Sequence, residues 1–360
     1  MKPNLITLNW GMILLCLSSC AYTPKIKAPG KQVLPESVAS MEWAEIGGIR
    51  QSFLIRGQDT ANPVLIYIHG GPGKGEMPLM RSYNRALEEH FTVVTWDQRG
   101  AGRSNRLFHP VRDFSINSYL SDVHEATQFI QKRLRKERVY LMGHSWGALL
   151  GILEVSRYPA DYHALIAIGQ PVGMWENIVL AYRKALAYAR ESGNQKVIRK
   201  LEKSGIDGSS LKECPRRDIT YVRKYINRHT PNRIDNGIYG KLVWRSIWST
   251  EYSLPDVVRY LFGISSAMDF LNQNDIEALN LYELVPELQV PYFIFAGVQD
   301  VFTDVELTRA YFDYVKAPYK AFHVFEQSTH HPNYEEPGKF QEILVQEVKP
   351  VGLSLKPFSY

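Results

Sequence analysis

The chain of 360 residues has 45% hydrophobic and 22% charged residues, an ordinary globular composition that fits one large domain with an insertion, or two domains. Its formal net charge of +5 is too small to indicate nucleic-acid binding, and no helix-turn-helix, zinc-finger or RNA-recognition motif accompanies it. The histidines and cysteines lack metal-ligand spacing, so we predict neither a metal site nor a cofactor.

The first twenty residues differ from the rest of the chain. Met1-Lys2 is followed by an apolar run over Trp10–Leu17 that is too short to span a bilayer, which predicts a cleaved signal peptide over residues 1–19. The closing Leu17-Ser18-Ser19-Cys20 resembles the lipobox of bacterial lipoproteins. That resemblance implies an acylated Cys20 and a protein exported and anchored to a bacterial membrane, at the outer membrane or the cell surface. The alternative is a simple signal and a secreted or periplasmic product.

Elements in the remaining chain follow a regular order on either side of one interruption. After a proline-containing tether over residues 20–39, we predict a β-hairpin over 41–47 and 49–56. Buried strands over 63–68, 91–96, 139–142 and 163–168 then alternate with helices over 79–90 and 116–136 and a third that ends near residue 158. The pattern resumes with strands over 290–296 and 319–325. Residues 40–170 and 287–350 therefore predict an α/β core with a mostly parallel, twisted sheet and helices on both faces.

Residues 171–286 interrupt this alternation and predict an inserted helical cap. The helical segments are 181–203, 218–227, 241–249 and 254–270. Residues 181–230 contain 13 Lys or Arg against 5 Asp or Glu, which we interpret as a solvated helix face. With Cys16 and Cys20 assigned to the signal and the anchor, only Cys214 remains, and no disulfide is predicted.

The most informative stretch is Val139–Leu150, in which an apolar run leads into Gly143-x-Ser145-x-Gly147 and a helix-forming segment follows at once. The pentapeptide alone occurs by chance, but this strand–turn–helix context is typical of a nucleophile elbow. A serine at so sharp a turn is held in a strained conformation with its hydroxyl clear of the sheet. We therefore predict Ser145 as a nucleophile.

A serine nucleophile needs a base and an orienting acid, which follow it in the order acid, then histidine, in this context. Asp300 follows the predicted strand over 290–296, although it or Asp304 could simply cap the next helix. His330 and His331 follow the strand over 319–325, and spacing alone does not choose between them. For the oxyanion we predict the amide of Trp146 and a second amide from Gly70 or Gly71, with Gly71 preferred, because Pro72 has no N–H.

Three motifs together resemble the proline iminopeptidases of the α/β-hydrolase superfamily. They are His69-Gly70-Gly71-Pro72-Gly73, Asp97-Gln98-Arg99-Gly100-Ala101-Gly102-Arg103-Ser104 and Gly143-His144-Ser145-Trp146-Gly147. Ser328-x-His330-x-Pro332-x-x-Glu335-Glu336-Pro337 is similar to the histidine segment of that superfamily, which selects His330 as the base. The side chains of Asp97, Arg99 and Arg103 are expected to brace loops.

The resemblance implies a serine hydrolase that releases an N-terminal residue, preferably proline, from small peptides. Family members hold the substrate amine with cap glutamates, for which Glu176 and Glu251 are the candidates, although the motif around Trp244 and Trp248 departs from the family spacing. A carboxylesterase using the same triad is the alternative, and a catalytically idle surface binding protein is a distant third. The expected partners are a small peptide or ester and a membrane, not nucleic acid, and no pattern in the sequence indicates an oligomeric state.

Overall fold

The computed structural model of the chain describes residues 21–106, 114–208, 214–229, 238–273 and 279–355. The predicted signal peptide and Cys20 lie outside these residues. Within these residues there are eight strands: β1 Val38–Ile46, β2 Ile49–Gly57, β3 Val64–Ile68, β4 Thr92–Asp97, β5 Val139–His144, β6 Tyr162–Ile168, β7 Tyr292–Gly297 and β8 Lys320–Phe325. They form one sheet of order β1-β2-β4-β3-β5-β6-β7-β8. The predicted α/β class with a mostly parallel sheet is confirmed.

Helices follow most of the strands. In chain order they are α1 Met77–Tyr83, α2 Ile116–Leu134, α3 Trp146–Arg157, α4 Met174–Glu191, α5 Gln195–Ser204, α6 Arg216–His229, α7 Ile238–Ile247, α8 Leu254–Gln273, α9 Leu281–Leu284, α10 Val305–Tyr314, α11 Pro332–Glu335, α12 Pro337–Ile343 and α13 Lys349–Ser354. Short 3-10 turns lie at Arg85–Glu89, Gly102–Ser104, Pro159–Asp161 and Ile206–Gly208, and one π-helical turn lies at Leu344–Val348. Within the described residues, none of these helices combines the length and the apolar character that crossing a bilayer requires.

The chain divides into two compact units. The first unit is Met1–Lys136 with Gly237–Phe270, and the second is Glu137–Asn236 with Leu271–Tyr360. In the first unit β1 pairs with β2 and β2 with β4 in antiparallel fashion, whereas β3 and β4 are parallel. In the second unit β5 to β8 are all parallel. The separate core and cap that the sequence predicts stay a prediction.

The buried strands follow from continuous apolar runs, which suit strands that are covered on both faces. Every residue of β3, β4, β5 and β7 is buried. The hairpin turn of β1 and β2 places Gly47 and Gly48 at φ of 56° and 69°, the left-handed region that glycine tolerates best. The predicted hairpin is therefore confirmed at its predicted turn.

Two predicted helices are each broken in two. The helix predicted over 79–90 ends at Tyr83 and continues only as the 3-10 turn Arg85–Glu89. The helix predicted over 181–203 is interrupted at Gly193-Asn194, where Gly193 has a φ of 63° and the Asn194 side chain caps α5 by accepting from Val197 N. Glycine is typical of a helix C-terminus and asparagine of a helix N-cap, so the sequence Gly193-Asn194 could have predicted the second break.

Candidate active site

Ser145 lies at the turn between β5 and α3 with φ 52° and ψ −111°, a backbone conformation that is strained for any residue with a side chain. Its amide donates to Ile168 O at 2.8 Å, which fixes the turn against the end of β6. At Gly143, a Cβ would lie 2.2 Å from Gly147 O, so only glycine permits the chain to close there. This geometry is that of the nucleophile elbow that the sequence predicts.

Asp300 lies in the loop after β7, and its carboxylate is buried and accepts four hydrogen bonds. Oδ1 accepts from the amides of Phe302 at 2.7 Å and Thr303 at 2.9 Å. Oδ2 accepts from Thr303 Oγ1 and from His330 Nδ1, both at 2.6 Å. Burial by itself raises the pKa of Asp300, but the charge and hydrogen bond of His330 and the donors of Thr303 outweigh it, so the pKa is lowered. Asp300 is thereby held as a carboxylate.

The loops that follow β7 and β8 are joined by backbone hydrogen bonds. Val298 N donates to Phe325 O at 3.0 Å and Gln299 N donates to Ser328 O at 3.3 Å. Because these loops continue β7 and β8, which are parallel neighbours, they leave the sheet at the same edge. The pairing of an acid and a base 30 residues apart thus follows from strand adjacency.

His330, and not His331, bonds to Asp300. The ring of His331 instead packs against His144, with ring centroids 4.7 Å apart. The ring of His330 also lies near His144, at 4.8 Å, and the backbone O of His330 contacts His144 Nε2 at 2.9 Å. His144 directly precedes Ser145 in the chain.

Gly169 adds a second contact between the elbow and His330. It follows Ile168, whose carbonyl accepts from Ser145 N, and a Cβ at Gly169 would lie 3.0 Å from Cε1 of His330. The structure therefore brings the imidazole of His330 close to His144, which precedes Ser145, and to Gly169, which follows the residue that accepts from Ser145 N, while its Nδ1 is directed at Asp300.

Glu335 and Glu336 hold the histidine loop, a role that the sequence reasoning missed. Glu335 accepts from the amides of Thr329 at 2.8 Å and His331 at 3.0 Å, and from Thr329 Oγ1 at 2.8 Å. Glu336 accepts from Gln327 N at 3.0 Å and Ser328 Oγ at 2.6 Å. The two carboxylates immobilise both sides of His330. The sequence could have indicated this role, because Glu335 and Glu336 closely follow His330 and carboxylates near a loop commonly accept hydrogen bonds from its backbone amides.

The two predicted oxyanion donors lie in different units. Trp146 is the first residue of α3 and is buried, and amides at a helix start are directed out of the helix. Gly71 lies in the loop after β3 with a φ of 126°, and a Cβ there would lie 2.9 Å from Gly73 N. Their pairing as donors stays a prediction.

In the first unit, Asp97, Arg99 and Arg103 bind neighbouring protein groups. Asp97 accepts from Arg103 N at 2.9 Å and from the hydroxyl of Tyr252 at 2.8 Å. Arg99 makes a two-pronged ion pair with Asp122 of α2, at 2.6 Å for both nitrogens. Bidentate pairs of this kind are strongly directional. These contacts hold the loop after β4.

The two carboxylates predicted to bind a substrate amine differ in their surroundings. The Glu251 side chain is only 1% exposed, lies 3.0 Å from Arg81 Nη1 and accepts from Thr250 Oγ1 at 2.9 Å. Glu176 is exposed in the first turn of α4. A substrate ammonium at Glu251 would compete with a guanidinium that is already in place.

Arg223 of α6 is a further residue that the sequence reasoning missed. Its guanidinium lies over the ring of Phe302 at 5.4 Å, and Phe302 contacts the ring of His330 at 5.0 Å. Burial lowers the pKa of Arg223, while the charge of Asp300 opposes that shift. A cation therefore lies close to the buried acid and histidine. Nothing local in the sequence distinguishes it from the other basic residues of residues 181–230.

Comparisons with known proteins identify the family of the fold. Residues 63–337 match the family model described as alpha/beta hydrolase fold. The chain is 28% identical over 330 residues to the probable aminopeptidase YbaC of Bacillus subtilis (strain 168), covering 88% of this chain and 99% of that protein. It is 25% identical over 304 residues to the proline iminopeptidase of Heyndrickxia coagulans, covering 83% and 95%.

Among solved structures, a proline iminopeptidase-related protein from Thermus thermophilus shares the fold. Its TM-score is 0.60 at 18% identity, with 88% of this chain and 100% of that chain covered. The family model matches more than half of the chain, and the elbow, the buried acid and the histidine occur in the order that the fold requires. The chain therefore belongs to the α/β-hydrolase family.

Proposed function

We propose that the protein is a serine hydrolase that works through an acyl-enzyme and releases an N-terminal residue, preferably proline, from small peptides. The observation that carries the proposal is the buried Asp300–His330 pair, with a Nδ1–Oδ2 distance of 2.6 Å, whose imidazole packs against His144, the residue that directly precedes Ser145 in the elbow. An acid–histidine pair with a purely structural role does not need a serine in a strained turn nearby. A pair that activates a serine nucleophile does.

In the first half of the reaction, Ser145 Oγ attacks the carbonyl carbon of the scissile bond. His330 Nε2 takes the hydroxyl proton, and Asp300 holds the Nδ1 proton and stabilises the imidazolium. The carbonyl oxygen becomes an oxyanion, for which we propose the amides of Trp146 and Gly71 as donors. When the tetrahedral intermediate collapses, His330 gives its proton to the leaving amine and the acyl group stays on Ser145.

In the second half, water replaces the leaving group. His330 Nε2 takes a proton from the water as it attacks the acyl carbon, and the proton then returns to Ser145 Oγ as the acid product leaves. All proton transfers use the same nitrogen, so the reaction requires Asp300 to keep the other nitrogen protonated. The four donors around Asp300 meet that requirement.

Peptides are the preferred substrate class because the full-length relatives include a probable aminopeptidase and a proline iminopeptidase. The ion pair of Glu251 with Arg81, at 3.0 Å, favours ester hydrolysis as the second candidate, since it occupies one of the two acids expected to bind the substrate amine. The triad itself does not distinguish an ester from an amide.

A fluorophosphonate probe tests the nucleophile. We expect it to label the wild-type protein and not Ser145→Ala, because the probe reacts only with an activated serine. Ser156→Ala is the matched control: Ser156 lies later on the same α3 helix, donates to Leu153 O at 2.9 Å, and should label like the wild type. Equal labelling of Ser145→Ala would refute the proposal.

A substrate panel tests the class of substrate. Proline amides should be cleaved with a much higher kcat/KM than short acyl esters if the protein is an aminopeptidase. If esters are the better substrates while Ser145→Ala still abolishes labelling, the nucleophile stands and the protein is a carboxylesterase. If the protein is an aminopeptidase, acetylating the N-terminus of a peptide substrate should make it a poor substrate. If the protein is a carboxylesterase, acetylation should make no such difference.

We further propose that the protein is exported and anchored to a membrane through an acylated Cys20, on the basis of the Leu17–Cys20 motif. Two or more acyl chains give a stable attachment, so Cys20→Ala should move the protein out of the membrane fraction. Cys16→Ala, which changes a cysteine inside the predicted signal peptide, is the control and should leave fractionation unchanged. Unaltered fractionation of Cys20→Ala would count against lipidation.

A further inference from the structure

The first unit carries an exposed apolar surface on α7, α8 and the turn between them. The tryptophan surface consists of Val243, Trp244, Ile247, Trp248, Leu254, Val258, Leu261 and Phe262. These eight are half of the sixteen exposed large hydrophobic side chains among the described residues, within a stretch of twenty positions. Exposed apolar side chains that are concentrated in one region of a soluble protein are typical of interaction sites.

Helical spacing shows that this exposure has a pattern. On α8, Leu254, Val258 and Leu261 lie at i, i+4 and i+7 on one face, while Val257 and Tyr260 are buried on another. On α7, Trp244 and Trp248 are 62% and 70% exposed, and their rings lie 5.4 Å apart. An amphipathic helix needs only one apolar face to pack on its own unit. The additional exposed face on α8 is available for something outside the chain.

The charges on this surface are positive. Lys241 and Arg245 are exposed on α7, which contains no acidic residue. The acids nearby in sequence are buried: Glu251 is paired with Arg81 and Asp256 with Arg259. Tryptophans beside lysine and arginine are typical of surfaces that enter the headgroup region of an anionic bilayer.

The N-terminal segment is held at the same place. Tyr22 N donates to Thr250 O at 2.8 Å, and Thr250 lies two residues after Trp248. Arg56 then fixes the next residues by donating to Thr23 Oγ1 at 2.5 Å and Pro24 O at 2.7 Å. The segment predicted as a tether is thus bound to the first unit from Tyr22 onwards.

This attachment limits how far an anchor can lie from the tryptophan surface. Cys20 precedes Tyr22 by two positions, and two residues of chain span at most about 7 Å. A lipid on Cys20 would therefore enter the bilayer close to the turn between α7 and α8. Two residues are too short a linker to let the first unit move far from the membrane.

We propose that the tryptophan surface docks on a lipid bilayer with anionic headgroups, beside the anchor at Cys20. The placement of this surface beside an anchor rests on the proposed lipidation of Cys20. Its expected affinity for a bilayer rests only on its own exposed side chains. Val243, Trp244, Ile247 and Trp248 insert at the level of the headgroups, and Lys241 and Arg245 contact the phosphates. The enzyme is thereby attached at two points and held in one orientation.

Collisional quenching of tryptophan fluorescence by brominated acyl chains tests this docking. The mature, lipidated protein is reconstituted into phosphatidylglycerol vesicles with and without bromine, so that only indoles within the bilayer lose emission. Removal of the predicted signal peptide removes Trp10, so we expect the wild type to show a bromine-dependent loss contributed by two of its six remaining tryptophans, and Trp244→Phe/Trp248→Phe to lack that loss. Trp175→Phe, a half-buried position on α4 of the second unit, is the matched control and should quench like the wild type.

Each outcome decides the proposal. Equal quenching of the wild type and of Trp244→Phe/Trp248→Phe would overturn it. Trp248→Cys offers a second measurement, because the described Cys214 is buried. Rapid disulfide-linked dimers of Trp248→Cys in vesicles, without bromine-dependent quenching of the wild type, would assign the surface to a second copy of the chain and also overturn it.

The experiments can contradict the docking proposal and the anchoring proposal independently of each other. If mass spectrometry finds no acyl chain on Cys20 of the wild type while the quenching of Trp244 and Trp248 persists, the anchor is wrong and the docking surface stands. If Cys20→Ala is released and the lipidated wild type shows no quenching at these positions, the anchor stands and the docking is wrong. Replacing phosphatidylglycerol by phosphatidylcholine should reduce the quenching, because Lys241 and Arg245 then lose their electrostatic partners.

Discussion

Asp97 in the first unit and Asp300 in the second are both buried aspartates at the carboxyl ends of buried strands, and their pKa values are shifted in opposite directions. Burial raises the pKa of Asp97 to about 7, although Arg103 N and the Tyr252 hydroxyl donate to it and the charge of Arg103 opposes the rise. Burial also acts on Asp300, but the histidine and the threonine donors lower its pKa. The same desolvation therefore accompanies a carboxyl group that titrates near neutral pH in one unit and an anion in the other.

The difference lies in the partners, since both carboxyl groups are removed from water. Asp300 is bonded directly by His330 Nδ1 at 2.6 Å, whose charge and hydrogen bond lower the pKa of Asp300, and by three further donors. Asp97 is bonded by one amide and one hydroxyl, and Arg103 is also drawn to Asp256 at 3.5 Å. A charged hydrogen-bonding partner offsets desolvation more strongly than neutral donors do. Strand-end position alone consequently does not identify a catalytic acid.

The largest effect should come from Asp300→Asn. We expect kcat/KM to fall by about a thousandfold to ten-thousandfold, because the asparagine amide presents a donor to His330 Nδ1 and favours the wrong tautomer. Asp304→Asn is the matched control, since Asp304 lies in the same loop but caps α10 by accepting from Glu306 N at 2.9 Å. Steady-state kinetics on the best substrate of the panel make the measurement. Near-wild-type turnover by Asp300→Asn would remove Asp300 from the site.

The second expected effect is on the free energy of unfolding. The raised pKa of Asp97 determines whether this free energy rises or falls with pH. Between its usual value of 3.8 and about 7, the unfolded chain ionises Asp97 while the folded chain keeps it protonated. The unfolded state then binds fewer protons, so the free energy of unfolding falls as pH rises through this range. A shift from 3.8 to about 7 corresponds to about 4 kcal/mol.

Asp97→Asn removes this dependence because asparagine stays neutral and keeps an oxygen for Arg103 N. Urea unfolding at pH 4.5 and pH 7.5 should show the variant gaining on the wild type by about 3 kcal/mol, the part of the shift that falls between these two pH values. Asp313→Asn, at an exposed position, controls for the loss of one carboxylate. For Asp300 the sign is reversed: its stabilising contribution is present above its usual pKa and is lost as pH falls through the lowered pKa. A pH-independent difference between wild type and Asp97→Asn would contradict the comparison.

Much of the second unit was predictable because its site depends on strand ends. The elbow and Asp300 follow the buried strands β5 and β7, His330 follows the half-buried β8, and parallel strands bring their carboxyl ends to one edge. The first unit was less predictable because its contacts join distant positions. Tyr252 meets Asp97 across 155 residues, and Arg81 meets Glu251 across a similar length of chain. No local pattern records which cation or hydroxyl will reach a given acid.

The smallest expected effect isolates one donor of Asp300. Thr303→Val removes the hydroxyl that donates to Oδ2 at 2.6 Å and leaves the Thr303 backbone amide in place. Losing a hydrogen bond to a charged group costs about 1 to 2 kcal/mol, so we expect kcat to fall about 5-fold to 30-fold with little change in KM. Thr303→Ser restores the hydroxyl and should recover most of the activity.

Thr308→Val separates this positioning role from a purely structural one. Thr308 is also buried and donates to Gln170 O at 3.2 Å and Asp304 O at 2.9 Å, without touching Asp300. It should therefore lower the free energy of unfolding by an amount similar to Thr303→Val while leaving kcat near the wild-type value. If both valine variants reduce kcat equally, the threonine at 303 merely stabilises the loop. The lowered pKa of Asp300 would then depend on His330 and on the two backbone amides alone.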